Sequence, residues 1–311
     1  MSLALYRHVS LLVGLSAISA SVSSSQSIDR IVYASVLDRA GRPVTNVDPK
    51  DLIVRENNVD RHVLQVYRTT EPLDIAVLVD TSQDAEAFVP DFRRALLDFL
   101  RVMSDRHQIA LITFGQRPRT VVDYTRDQQR LATGVARIAG QHGSGAYLMD
   151  GLIEASRRLR TRESPQREVL VVTSEGGELS DRNSADVFGE VQASGVTVYA
   201  FVVMASSQGR FPAFEAGTRE RPLPTSTPDQ PEIERAVALA AVVRDTGGRR
   251  EDLVTSGLLG AKLREHAVRL NIQYRIIYEG PARLTAPASI EIVTTRPDLR
   301  AQVTRTLQNL P

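Results

Sequence analysis

Apolar runs and helical repeats alternate through the middle of the chain. Between residues 73 and 278, near-continuous apolar runs such as 73–79 and 169–173 are separated by stretches in which apolar residues recur every three or four positions. The runs are typical of strands buried on both faces, and the repeats are typical of amphipathic helices. Their alternation favours a mostly parallel sheet with helices on both sides. The pattern therefore predicts an α/β domain, placed at residues 71–279.

The two flanks of this domain have a β pattern instead. Residues 26–70 and residues 280–311 contain short runs rich in β-branched and apolar side chains, separated by turn-forming sequences such as Asn57-Asn58. The ends of a folded chain often lie close together. We therefore expect the two flanks to pack together as one small β subdomain.

Residues 1–25 form a segment of another kind. Arg7 precedes an apolar run of about a dozen residues, and small residues follow it. Such a run is too short to span a bilayer well, and the order basic, apolar, small is typical of a secretory signal peptide. The alternatives are a buried N-terminal helix or an uncleaved anchor. The segment predicts export to the periplasm or beyond, with a mature chain that begins near residues 21–26 and contains no transmembrane span.

Composition excludes several classes of function. The 38 lysines and arginines balance 37 aspartates and glutamates, so the net charge of +1 gives no electrostatic case for nucleic-acid binding. Cysteine is absent, which excludes disulfides, thiolate catalysis and thiolate zinc sites. The sequence also lacks a Gly-x-Ser-x-Gly nucleophile elbow, a P-loop and a dinucleotide fingerprint. No catalytic set is therefore evident.

Residues 205–230 differ from their surroundings because they are rich in Pro, Ser and Thr and have no periodicity. Loops of this length are usually functional or disordered. The preceding strand is predicted to run parallel to 73–79, so the loop should start at the edge of the sheet where Asp80 lies. The next predicted helix carries Ile233, Val237 and Ala240 as its apolar positions.

The candidate site is a group of oxygen-bearing residues directly after strand 73–79. Ligands of doubly wound sheets bind outside the carboxyl ends of the strands, and carboxylate and hydroxyl oxygens suit hard cations such as Mg²⁺. Asp80-Thr81-Ser82-Gln83-Asp84 resembles the metal-ion-dependent adhesion site of the von Willebrand factor A family, whose first loop reads Asp-x-Ser-x-Ser. Asp80 and Ser82 match this pattern, and Asp84 replaces the second serine.

Two further segments resemble the other loops of that family. Residues 143–152 resemble the second loop, but the ligand threonine falls on Ala146. Residues 171–176 resemble the third, where the usual aspartate falls on Glu175, or on Ser174 if the register slips by one. The flanking sequences at 41–44, 51–56, 246–248 and 273–274 are similar to a secreted bacterial branch of the family first catalogued in acidobacteria.

This resemblance implies a Rossmann-like α/β fold of the von Willebrand factor A type with strand order 3-2-1-4-5-6, in which Asp80 and Glu175 lie on adjacent strands. The implied metal ligands are Asp80, Ser82, Asp84 and Glu175, in a site that is degenerate at Ala146. Either no cofactor or weakly bound Mg²⁺, Mn²⁺ or Ca²⁺ is expected. In the metal-free alternative, the acidic residues only cap the following helix.

The expected function is non-enzymatic. The resemblance implies an exported protein that binds another protein or an envelope surface ligand through the carboxyl edge of the sheet. One alternative is a structural component of a cell-envelope assembly, docked through the β subdomain. A less favoured alternative is a metal-dependent hydrolase using Asp80, Asp84 and Glu175.

Overall fold

The computed structural model describes residues 27–69, 71–204, 230–281 and 289–307. The predicted signal peptide and residues 205–229 of the predicted loop lie outside these ranges. Thirteen strands are described: β1 Ser27–Asp38, β2 Leu52–Glu56, β3 Val59–Arg61, β4 Val63–Arg68, β5 Leu73–Val79, β6 Gln108–Thr113, β7 Arg119–Thr125, β8 Gln166–Ser174, β9 Thr197–Val203, β10 Arg250–Leu253, β11 Tyr274–Pro281, β12 Ile290–Thr294 and β13 Leu299–Leu307. The α-helices are α1 Val89–Met103, α2 Gln128–Ala136, α3 Leu148–Arg160, α4 Ser184–Ser194, α5 Gln230–Asp245 and α6 Leu259–Asn271. Among the described helices, none has the length and apolarity needed to cross a bilayer.

The central sheet has six strands in the order β10-β9-β8-β5-β6-β7. Its strands are parallel except β7, which pairs antiparallel with β6 at one edge. Strand order reverses at β5, so β6 and β8 flank β5 on opposite sides. When the strands of this sheet are numbered along the chain with β5 as strand 1, the order read from β7 to β10 is 3-2-1-4-5-6, as predicted. The expectation of a doubly wound, mostly parallel sheet is confirmed.

Helices cover both faces of this sheet because successive side chains of each strand point to opposite sides. On one face, Ile75 and Val77 of β5 lie in a core with α1, α2 and α6. On the other face, Ala76 and Leu78 lie in a core with α3, α4 and α5. All seven residues of β5 are buried, as expected for a strand packed on both sides.

Two antiparallel sheets form a second body of the molecule. One has the order β13-β1-β11-β4 and the other has the order β12-β2-β3, so strands from both ends of the chain pair directly. They enclose an apolar core of their own that includes Val32, Val54, Ile276 and Ile292.

The placement of β11 corrects the boundary expected at residue 279. Its burial alternates along the strand, and it pairs with β1 and β4 instead of joining the central sheet. The sequence interpretation grouped this strand with the α/β stretch because it follows an amphipathic helix. Its alternating pattern is that of an antiparallel strand.

Candidate functional site

The site begins at the end of β5, where the chain leaves the sheet. The backbone N–H of Asp80 donates to the carbonyl of Val172 at 2.9 Å, which continues the pairing of β5 with β8 by one residue. The Asp80 carboxylate accepts a hydrogen bond from the backbone N–H of Ser82 at 2.9 Å and so fixes the following turn. Both side chains are completely buried. A buried carboxylate needs a compensating positive charge or several donors.

That charge comes from Arg235 of α5. One terminal nitrogen of its guanidinium lies 3.0 Å from Asp80 Oδ2 and also donates to the hydroxyl of Thr173. The Thr173 hydroxyl in turn donates to Asp80 Oδ2 at 2.5 Å. Arg235 is only 5% exposed, so the pair is removed from solvent. Asp80 is therefore part of an internal ion pair.

Backbone carbonyls complete the surroundings of the guanidinium. It donates to the carbonyl oxygens of Ser174, Gly176 and Gly177 at 3.2, 3.2 and 3.3 Å. Ser174 is the last residue of β8, and Gly176 and Gly177 belong to the turn that follows, so this segment wraps around the arginine. A planar guanidinium has five N–H donors, so one side chain can bind this many acceptors.

A second buried carboxylate, Glu178, lies on the far side of the guanidinium. Glu178 Oε2 is 3.9 Å from Arg235 Nε. The carboxylate also accepts hydrogen bonds from the backbone N–H groups of Leu148 at 3.2 Å and Met149 at 3.4 Å, at the N-terminus of α3. Burial raises the pKa of Glu178, against the opposing effects of Ser180 and Arg235. Sequence analysis did not single out this residue.

The other predicted ligands lie in less enclosed positions. Asp84 is exposed, and its Oδ2 accepts a hydrogen bond from Gly177 N at 3.3 Å. Glu175 is half-buried, and its backbone N–H continues the β8–β9 pairing by donating to Val203 O at 3.1 Å. Asp80 and Glu175 do lie at the ends of adjacent strands, as predicted. The residue opposite Asp80 in register, however, is Thr173.

The second loop contributes backbone contacts. Ala146 is fully buried, and its carbonyl accepts a hydrogen bond from Leu179 N at 2.7 Å. Ser144 O accepts one from Gln83 N at 3.1 Å. These backbone bonds link the second loop to the other two loops. The Gln83 side chain adds a further link, because its Oε1 accepts a hydrogen bond from Gly143 N at 2.9 Å. Gly176, with φ +155°, is required here because a Cβ would lie 2.2 Å from Asp84 Oδ2.

The described residues do not fit a divalent cation. The hydroxyls of Ser82 and Ser174 are buried and make no hydrogen bond within the described residues, so two oxygens are unused. Against this, Asp80 Oδ2 already binds Arg235, and Ala146 offers no side-chain oxygen. In the part of the chain that the structure describes, no three His, Cys, Asp or Glu side chains are grouped to hold a metal. Mg²⁺ is usually held in proteins by one or two carboxylates together with waters, and here the central carboxylate, Asp80, is already paired with an arginine.

The orientation of α5 is where the sequence expectation was wrong. Ile233, Val237 and Ala240, the predicted apolar face, are exposed, with Ile233 at 45% and Val237 at 54%. The buried face instead contains Arg235, Leu239 and Val242. The helix is rich in alanine, so apolar periodicity does not select one face. The signal that could identify Arg235 is its spacing of four and seven residues from Leu239 and Val242.

Comparisons with known proteins agree with this architecture. Residues 74–216 match the family model of the von Willebrand factor type A domain. No curated protein matches the sequence significantly. The secreted acidobacterial branch is not tested by these comparisons and stays a prediction.

Among solved structures, the chain is similar to proximal thread matrix protein 1 from the mussel byssus, with 15% identity and a TM-score of 0.47 over 70% of this chain and 50% of that one. The chain therefore spans about half the length of the mussel protein. It is also similar to an aerotolerance-related membrane protein from Bacteroides fragilis carrying multiple mutations to serines, with 12% identity and a TM-score of 0.45 over 63% of this chain and 98% of that one. A third similar structure is a von Willebrand factor type A protein from Catenulispora acidiphila, with 11% identity and a TM-score of 0.48 over 92% of this chain and 74% of that one.

Proposed function

The chain contains a von Willebrand factor type A domain, and on that premise we propose that it is an exported, non-enzymatic binding module with a degenerate adhesion site. It recognises a protein or an envelope surface ligand through the carboxyl edge of the six-stranded sheet. The observation that carries this proposal is the division of that edge into two layers. Asp80 is turned inward towards Arg235, and the loops above it present an outer surface that includes the exposed Asp84.

The outer layer has the mixed character of an interaction surface. Leu179, 53% exposed, stands on the loop after β8 and lies over the second loop at Gly145. Gln83 and Asp84 on the first loop and His142 on the second are also exposed. Backbone hydrogen bonds between the loops hold these side chains on a fixed support. Such a support limits the entropy lost on binding.

The burial of Asp80 beneath the outer loops argues against the metal-dependent hydrolase. Asp80 has no exposed surface, and its carboxylate is committed to Arg235, Thr173 and the Ser82 N–H. A carboxylate that activates water must reach that water within hydrogen-bond distance. Asp80 therefore serves as a structural group. A broad hydrolase screen of the purified chain is expected to show no activity above that of Asp80→Asn.

Site-specific photo-crosslinking tests the edge proposal. A photoreactive amino acid at Leu179 is expected to capture a discrete partner in the native envelope. Val102, 44% exposed on α1, is the matched control and should capture none. Val59, 49% exposed in β3, reports on the structural alternative. If a partner is captured from Val59 and not from Leu179, the binding-module proposal is wrong and the protein is a structural component docked through the β subdomain.

Export is tested separately. The N-terminus of the protein recovered from the periplasm or medium is expected near residues 21–26. A cytoplasmic protein that retains Met1 would contradict the signal peptide without affecting the edge proposal.

A further inference from the structure

We infer that the guanidinium of Arg235 is the resident cation of the adhesion-type site, so that the chain binds no divalent metal there. The inference rests on the place of this site beneath the proposed binding edge, but its test requires no partner. Failure of the binding proposal and failure of this inference are therefore distinguishable.

The guanidinium lies in a cage of oxygen atoms. Five oxygens surround the guanidinium: the Asp80 carboxylate, the Thr173 hydroxyl and the carbonyls of Ser174, Gly176 and Gly177. Glu178 Oε2 lies farther away, 3.9 Å from Arg235 Nε. Two carboxylates with several neutral oxygens form the kind of ligand set that holds a hard cation. Here the oxygens are spread around the planar guanidinium. Asp80 and the three carbonyls lie at N···O distances of 3.0–3.3 Å, which are those of hydrogen bonds.

The charge of Arg235 also opposes the binding of a second cation. Arg235 places a permanent positive charge 3.0 Å from Asp80 Oδ2 in a region closed to water. A divalent ion at Asp80 would be repelled by this charge with little screening. The ion would also have to displace the guanidinium from Asp80, which would separate a buried ion pair.

Two departures from an ion-binding site occur together in this sequence. Ala146 removes a side-chain oxygen from the second loop, and the loop after β8 is held by Arg235 where an ion would otherwise hold it. The arginine also binds α5 to that loop. It is a positioning residue for the edge on which Leu179 and Asp84 stand.

Thermal unfolding of the full-length chain, with chelator or with millimolar MnCl₂ or MgCl₂, tests the inference. The wild-type midpoint is expected to be the same in all three solutions, and calorimetry should show no saturable Mn²⁺ binding. Arg235→Ala should lower the midpoint by about 6–20 °C, since it strands a buried carboxylate. Arg244→Ala is the matched control on the same helix, because Arg244 is 74% exposed and pairs only with its neighbour Asp245 among the described residues. It should shift the midpoint by less than about 4 °C.

A gain-of-binding variant sharpens the test. Arg235→Ala combined with Ala146→Thr removes the resident charge and restores a side-chain oxygen. Its midpoint is expected to rise by about 3 °C or more in millimolar MnCl₂, and adding Asp80→Asn should abolish that rise.

Three results would contradict the assignment of Arg235 as the resident cation. Saturable Mn²⁺ binding to the wild type that Asp80→Asn removes would overturn the inference. An Arg235→Ala protein with the same thermal midpoint as the wild type would also overturn it. So would a double variant whose midpoint does not change in MnCl₂. If Arg235→Ala fails to fold, Arg235→Lys takes its place: it is expected to fold with a lowered midpoint and no Mn²⁺ response, since lysine lacks the planar fork.

Discussion

Each body of the molecule contains a buried arginine–carboxylate pair, and the two pairs are built differently. In the β subdomain, Arg30 of β1 pairs with Glu56 at the end of β2, and both side chains are at most 2% exposed. This pair joins the two antiparallel sheets. In the α/β domain, Asp80 and Arg235 are equally buried, but three backbone carbonyls also converge on the guanidinium.

We call the Arg30–Glu56 pair a side-chain link and the surroundings of Arg235 a backbone cage. Glu56 has a further cationic neighbour in Arg61, at 3.5 Å, and Arg30 reaches the carbonyl of Pro281 at 3.4 Å. Most of the charge in that pair is balanced between side chains. Around Arg235, the main chain itself is arranged for a cation. A side-chain link can be exchanged for apolar residues of similar volume, whereas a backbone cage retains its carbonyls whatever side chain replaces the arginine.

The largest expected effect comes from breaking one side of the link. Glu56→Leu leaves Arg30 charged and buried, and should lower the free energy of unfolding by about 3–5 kcal/mol. Adding Arg30→Met should recover most of this loss, to within about 1 kcal/mol of the wild type. Urea unfolding of the three proteins measures both steps. A double variant as unstable as Glu56→Leu would show that the link is not exchangeable.

The same exchange at the cage should fail. Asp80→Leu with Arg235→Met removes both charges of this pair. It leaves the carbonyls of Ser174, Gly176 and Gly177 without donors, and it leaves the buried Glu178 carboxylate without its cationic neighbour. Each unsatisfied buried group costs about 1–3 kcal/mol, so the double variant should stay at least about 2 kcal/mol below the wild type. Recovery to wild-type stability in the same urea assay would erase the distinction between link and cage.

His107 is a buried titratable group of a third kind, because it is kept neutral instead of being paired with an opposite charge. Burial lowers the pKa of His107 from 6.5 to about 4. Its Nδ1 accepts a hydrogen bond from Leu73 N at 3.0 Å, and Nε2 pairs with Asn271 Oδ1 at 3.1 Å. Protonation of Nδ1 would break the bond to Leu73.

The pH dependence follows from this lowered pKa. The unfolded chain takes up a proton near pH 6.5 and the folded chain only near pH 4, so this contribution is fully present above pH 6.5 and is lost as the pH falls towards 4. The total loss is about 3 kcal/mol. Urea unfolding at several pH values, compared with His107→Gln, isolates it, because other groups titrate in both proteins. Parallel pH profiles for the two proteins would contradict the lowered pKa.

The smallest effect is expected at an exposed pair. Arg157 Nε lies 3.1 Å from Glu190 Oε2, with the arginine side chain 53% exposed and Arg160 close by as a second partner of Glu190. Arg157→Ala should cost less than about 1 kcal/mol, and added salt should reduce even that. A loss comparable to that of Glu56→Leu would mean that burial does not set the strength of these pairs.

The sequence was sufficient for the architecture of the central sheet because its strands are apolar on both faces. Strand β5 and the Asp80 turn were placed correctly, and their pairing with β8 brought Asp80 and Glu175 to one edge as expected. These features depend on local patterns and on the regular geometry of parallel strands.

The ion pair at the centre of the site could not be predicted from the sequence, because its arginine lies far from Asp80 in the chain. Arg235 lies 155 positions after Asp80, on a helix whose alanines hide which face is buried. Glu178 was missed because the motif comparison ended at Gly176. The assignment of β11 to the wrong sheet has a similar origin, since its partners β1 and β4 lie more than 200 residues earlier.

The pairing of β1 with strands at the other end of the chain has a consequence for folding. β1 is synthesised first, yet its neighbours β11 and β13 follow only after about 240 further residues. At the usual speed of translation, the strand waits roughly 10–50 s for its partners. During that time, its apolar centre, Ile31 to Val36, presents unpaired backbone groups to any other extended chain. The α/β domain can form in the interval from contacts within residues 73–271, so the N-terminal strand is the last element to be enclosed, and chaperone dependence should be concentrated there.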